Sequence, residues 1–151
     1  MSLGEVMSSE PVSARLDRAA VEAARLVRVG RDLLITEAGA VTVAMLAEGR
    51  TSNVNAARQW LHRQRQAGRL ITVDHNGELL IPSYQLDAAF DLDQAVAGVT
   101  GALVAAGMSP WAIWRWFYAH NGWVDARPVD LVAAGDSRRL HRAVRGLLDV
   151  A

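Results

Sequence analysis

Residues 42–82 carry, in order, a short apolar helix, a turn, a long arginine-bearing helix and an Asn-Gly hairpin, and few folds accommodate that succession. In VTVAMLAEG (41–49), Val43, Leu46 and Ala47 recur at helical spacing, and Gly49 stands where a helix would stop. Thr51 or Ser52 then offers a hydroxyl to the free N–H groups of a second helix, SNVNAARQWLHRQRQAG, which closes at Gly68. Val54, Ala57 and Leu61 share one face of that helix and are expected to pack on the first. Asn53, Asn55, Arg58, Gln59, His62 and Arg63 then point outward, with Ser52 at their head. Amide and guanidinium groups of this kind make bidentate contacts to adenine and guanine edges. From Arg50 to Arg69 there are five arginines and no acid, a local charge of +5 that suits a phosphate-facing surface.

The hairpin follows at once. LITV (70–73) and ELLI (78–81) are strand-like runs around Asp74, His75, Asn76 and Gly77, and Asn-Gly favours a type I′ turn with positive φ at both central residues. Pro82 ends the second strand because it cannot donate to a ladder. The expected fold is mainly α: a winged helix-turn-helix with a short β-hairpin, followed by a small helical C-terminal domain. Ser52, Asn53, Asn55, Arg58, Gln59, His62 and Arg63 are the candidate DNA-contacting residues. The bland alternative is an arginine-rich helix that merely presents a solvated face.

Around this motif the chain divides into a disordered start at 1–10, an N-terminal helix with the winged module at 11–86, and a helical domain at 87–151. The N-terminal helix is predicted over residues 12–29, with Leu16, Ala19, Ala20, Ala23, Leu26 and Val27 forming an apolar stripe opposite Arg15, Arg18, Glu22 and Arg25. Such a stripe either closes the winged module or pairs with the same helix of a second chain. Residues 30–40 connect it to the motif, with a short turn or strand at LLIT. Beyond Pro82, SYQLDAAF (83–90) reads as a link. Asp91, with Gln94 three residues on, makes a capping box for the next helix. Gly98 and Gly101 within that helix suggest close packing by a neighbour. Ser109 followed by Pro110 marks a further helix start, and Asp136 or Ser137 caps a last helix through Leu148.

Four of the five tryptophans fall between Trp111 and Trp123, together with Phe117 and Tyr118. Trp114, Phe117 and Trp111 suit a small core. Residues 111, 114, 116, 117 and 118 nevertheless cover most of a helix's circumference, which leaves open an aromatic partner surface beside Arg115 and Arg127.

The stretch WRWFYAHNGWVDARPVDLVAAGDSRRLHRAVRGLL resembles the C-terminal toxin-binding domain of the Xre/MbcA/ParS antitoxins. Asn121, Trp123, Asp125, Arg127, Pro128, Asp130, Leu131, Gly135 and Asp136 match its pattern in order. With the upstream motif, the resemblance covers roughly residues 40–148. Ala126 stands where the family commonly has glycine, and no Tyr-Gly ending follows the last helix. The resemblance implies an antitoxin that restrains a toxin through its C-terminal domain and represses their shared promoter through its helix-turn-helix. The implied toxin is a RES-like enzyme that consumes NAD or a relative that transfers ADP-ribose, neither activity belonging to this chain. The residues it offers to a toxin are Trp111, Arg115, Trp123, Asp125, Arg127, Asp130, Asp136 and Arg139. A phage-type or stand-alone regulator whose C-terminal domain oligomerises, and an adaptor that never touches DNA, are the competing readings.

Sixteen basic residues, all arginine, balance 16 acidic ones, so any nucleic-acid contact comes from a local patch. No cysteine is present, which excludes disulfides, thiolate metal sites and a cysteine nucleophile. His62, His75, His120 and His141 are scattered, and no metalloprotease, triad or phosphate-loop pattern occurs. The expectations are no enzyme activity, no metal and no cofactor. Neither a signal peptide nor a membrane span is read, so the protein is expected in the cytoplasm as a homodimer, or in a larger complex with a toxin.

Overall fold

A computed structural model describes residues 10–150, so the predicted disordered start lies, apart from Glu10, outside the described residues. Two compact units meet at the Thr36/Glu37 boundary. The first is helix α1, Val12–Ala38, whose last residues enter the second unit. It continues well past Val29, and LLIT is helical rather than a strand. One glycine costs a helix about 1 kcal/mol, too little for Gly30 to stop a segment whose neighbours are good helix formers.

The second unit holds β1 (Ala40–Thr42), α2 (Val43–Gly49), α3 (Val54–Gln66), β2 (Val73–His75), β3 (Glu78–Pro82), a 3-10 turn at Ser83–Gln85, and α4 (Gln94–Ala105), α5 (Pro110–Tyr118), α6 (Pro128–Ala133) and α7 (Ser137–Val150). It is mainly helical with a small antiparallel sheet in the order β1-β3-β2. β3 pairs with β1 through Val41↔Ile81 and with β2 through Asp74↔Leu79. Asn76 (φ 52) and Gly77 (φ 78) close the hairpin with the positive φ values the dipeptide predicts. Only Val73 of LITV joins a strand. Leu70 and Ile71 are buried beside it, and the Gln85 side chain replaces the missing ladder: Ile71 N–H donates to Oε1 and Nε2 donates to the Ile71 carbonyl, both at 2.8 Å.

Ala57 and Leu61 face the core as expected, but Val54 is 40% exposed and Trp60 takes its place, buried under the Arg50 guanidinium at 4.0 Å. They join Leu46, Leu70 and Ile81 in one cluster, which Leu92 and Ala97 complete from beyond the hairpin. Ile113, Trp114 and Phe117 of α5, with Leu103, Leu131 and Leu140 from α4, α6 and α7, are buried as well. Tyr84 packs on Phe117 with ring centres 4.6 Å apart, and burial pushes its phenol well above the usual range, keeping it neutral.

Two caps differ from expectation. Asn53, not Thr51 or Ser52, caps α3, its Oδ1 accepting the Ala56 N–H at 2.8 Å. Asp93, not Asp91, caps α4 by accepting the Val96 N–H, while Asp91 accepts the Leu92 N–H within the loop. Ser109 and Pro110 start α5 as predicted, and Asp136 caps α7 by accepting the Arg139 N–H. The positions a Cβ would occupy at Gly98 and Gly101 meet nothing closer than ordinary contact, so packing within the chain does not require these glycines. Among the described residues no helix is long and apolar enough to cross a membrane.

Candidate nucleic-acid interface

The exposed face of α3 is built from the turn that precedes it. Helix α2 ends in a tight pair of hydrogen bonds, Thr51 N–H to the Glu48 carbonyl at 3.0 Å and Ser52 N–H to the Ala47 carbonyl at 2.8 Å. That geometry puts the left-handed residue at Thr51 (φ 55), a β-branched residue in a strained conformation. Helix α2 ends at Gly49 as predicted, and the missing side chain has a second use: a Cβ there would lie 2.5 Å from the Phe90 ring. Asn53 then starts α3, and Gly68 (φ 70) finishes it as predicted.

Ser52, Asn53, Asn55, Arg58, Gln59, His62 and Arg63 are all exposed. At 3.6 residues per turn, Asn55, Gln59 and His62 run down the middle of the outward face, and Arg58 and Arg63 fall on its opposite flanks. Neither guanidinium makes a hydrogen bond or ion pair among the described residues. Asn53 is different, because its carboxamide oxygen is committed to the cap.

The structure divides the five arginines of this segment by role. Arg50 stacks on Trp60, donates to the Phe90 carbonyl at 2.8 Å and faces Asp91 at 3.5 Å. Arg69 donates to Gln94 Oε1 at 2.7 Å. Arg58, Arg63 and Arg65 remain exposed. The hairpin adds no positive charge, since Asp74 and Glu78 are exposed beside its tip. Favourable potential toward phosphate is therefore concentrated on α3. Behind the hairpin, Trp111 stacks on Trp114 with ring centres 5.5 Å apart and meets His75 edge-on at 6.1 Å.

The residues singled out in the C-terminal helices divide similarly. Arg127 donates to Asp130 at 3.0 and 3.1 Å and to Glu37 at 2.8 Å, and its guanidinium holds the Asp130 carboxyl below the ordinary range. Arg139 donates to the Val124 carbonyl, and Asp136 is spent as a cap. Asp125, not Ala126, takes the positive φ of this loop (49) and lies 3.2 Å from His120. Arg115 is exposed, while Trp111 is half-buried. Trp123 is 58% exposed and lies against α7 at Gly146, where a Cβ would come within 2.5 Å of its ring. Beside it, Arg138, His141, Arg142 and Arg145 line a shallow groove of about 500 Å³. These side chains recur at three- and four-residue spacing, a helical stripe readable in the sequence but not among the predicted site residues.

The chain's fold is similar to that of the NMR structure of Rv2175c, with a TM-score of 0.56 and 22% sequence identity over 72% of this chain and 80% of that one. The likeness concerns the fold alone. No protein-family model and no curated protein matches the chain.

Proposed function

We propose that this chain is a winged helix-turn-helix protein that binds duplex DNA by placing α3 in the major groove, and that it acts as a repressor. The observation that supports this most is the outward face of α3: amides and an imidazole down the centre, a free arginine on either flank, and no acid on the helix. The flanking arginines serve phosphates, and Asn55, Gln59 and His62 serve base edges. With the hairpin acidic, affinity depends on few phosphate contacts, and its salt slope is correspondingly shallow and set by them alone. The test is fluorescence anisotropy with labelled duplexes across a salt series. Changing Arg58→Ala together with Arg63→Ala is expected to weaken binding at least tenfold and to lower the salt slope by about 2, one unit for each lost phosphate contact. Unchanged affinity and slope would refute the assignment of α3.

A second function, antitoxin activity through the C-terminal helices, draws its support from Trp123. An indole this exposed, beside Arg138, Arg142 and Arg145, has the composition of a protein hot spot. Under this reading Trp123 anchors the toxin while Arg127, already tied to Asp130 and Glu37, holds the loop in shape. Co-purification with the product of the adjacent gene tests it. Trp123→Ala is expected to abolish the complex without changing DNA affinity; absence of a complex with the unaltered chain leaves the DNA-binding regulator as the whole function.

A further inference from the structure

Helix α1 carries an apolar seam. Val12, Leu16, Ala19, Ala23, Leu26, Gly30 and Leu33 follow one another at alternating four- and three-residue steps, a strict heptad pattern over three heptads. The seam is open: Val12 is 61% exposed, Leu16 64%, Leu26 56% and Leu33 64%. At 27 residues the helix is about 40 Å long, and a helix of this length with a bare apolar seam needs a partner helix.

We infer that the partner is a second copy of α1, packed antiparallel. In an antiparallel pair the two seam positions of one helix meet the opposite class on the other. A single register then places Leu16 against Leu26 of the second copy, Ala19 against its Ala23, and Val12 against its Gly30. Alanine thus meets alanine at the centre, leucine meets leucine in the flanking layers, and Val12 meets glycine beyond them. The alanines bring the backbones close at the centre, and Val12 fills the space left by Gly30, where a Cβ would meet nothing within 4 Å in a single chain. Parallel pairing would instead set Gly30 on Gly30 and leave a cavity.

Charge agrees with the same register. Glu22 falls beside the two-fold axis, but each Glu22 is held by Arg25 of its own chain at 2.6 Å. Two neutralised pairs meet there rather than two bare carboxylates, with Arg18 of each copy alongside. The pairing extends the DNA-binding reading, because a two-fold dimer presents two α3 helices to two half-sites.

The test separates pairing from DNA binding. The chain has no cysteine, so introduced thiols are unambiguous. Sedimentation equilibrium of the full chain at micromolar concentration is expected to give twice the chain mass. Mixing Ala19→Cys chains with Ala23→Cys chains under mild oxidation is expected to yield the mixed disulfide at several times the yield of either variant alone. Leu16→Asp with Leu26→Asp is expected to give a monomer with unaltered tryptophan emission, since every tryptophan lies outside α1. A monomeric wild-type chain, whether its seam is covered by another protein or by its own chain, would overturn the proposal. Crosslinking of Ala19→Cys chains alone in preference to the mixture would overturn the antiparallel register. Salt-dependent DNA binding by a monomeric wild-type chain would refute the pairing and leave α3 untouched.

Discussion

Gln85 is fully buried, and its carboxamide does the work of a strand. A carboxamide offers one acceptor and two donors in a plane, which is the complement of a backbone edge, and Gln85 spends them on the Ile71 N–H, the Ile71 carbonyl and the Pro82 carbonyl. Gln85→Leu keeps the volume and removes all three bonds. It leaves Ile71, 3% exposed, with an unpaired N–H and carbonyl. At about 1–3 kcal/mol for each of these two unsatisfied buried groups, the expected loss is about 2–6 kcal/mol. Urea unfolding followed by tryptophan fluorescence measures it, and a variant as stable as the wild type would show that the carboxamide is replaceable. Gly49 and Gly146 make a related point about single residues. Each omits a Cβ so that an aromatic ring, Phe90 or Trp123, can lie on a helix, and neither requirement is visible from local sequence.

At the level of elements, what could be read from the sequence was what is determined locally. Helices α2 and α3, the Asn76-Gly77 turn, the Ser109-Pro110 start and the Asp136 cap all depend on residues within a few positions of one another. The choice of Asn53 over Thr51 depends on the left-handed turn, which takes Thr51 out of the capping position. What could not be read depends on partners far along the chain. The segment's +5 charge treated its arginines alike, whereas Arg50 is held by Phe90 and Asp91 some 40 residues away and Arg69 by Gln94. Trp60 was absent from the expected packing face although it stands three residues from Ala57, and it is buried in the same cluster as Ala57 and Leu61 with Arg50 over its ring. The outward set on α3 needed no distant partner, and its residues are exposed as periodicity predicts. In the C-terminal helices the matched residues Arg127, Asp130 and Asp136 are bound up in intramolecular bonds, while Arg138, Arg142 and Arg145 of α7 line the groove beside Trp123.

The whole second unit behaves as one body of packing rather than as a hairpin module followed by a separate helical domain. Leu92 and Ala97 complete the cluster around Leu46 and Leu61, and Phe90 lies on Gly49. The Asp93 N–H donates to the Gln85 carbonyl at 2.9 Å, and Tyr84 reaches Phe117. A fragment of residues 37–86 would lose each of these contacts and expose Leu46, Leu61 and Trp60 to water. At this length the core it keeps would also be marginal against chain entropy. The expected outcome is that residues 37–86 alone give a collapsed amide proton spectrum and no cooperative thermal transition, while 37–151 gives a dispersed spectrum and one transition. A dispersed spectrum from the shorter fragment would mean that α3 is held by its own module. If the shorter fragment fails as expected, positioning of α3 depends on α4 and α5, and a substitution such as Phe117→Ala would weaken the proposed DNA binding without touching the outward residues of α3.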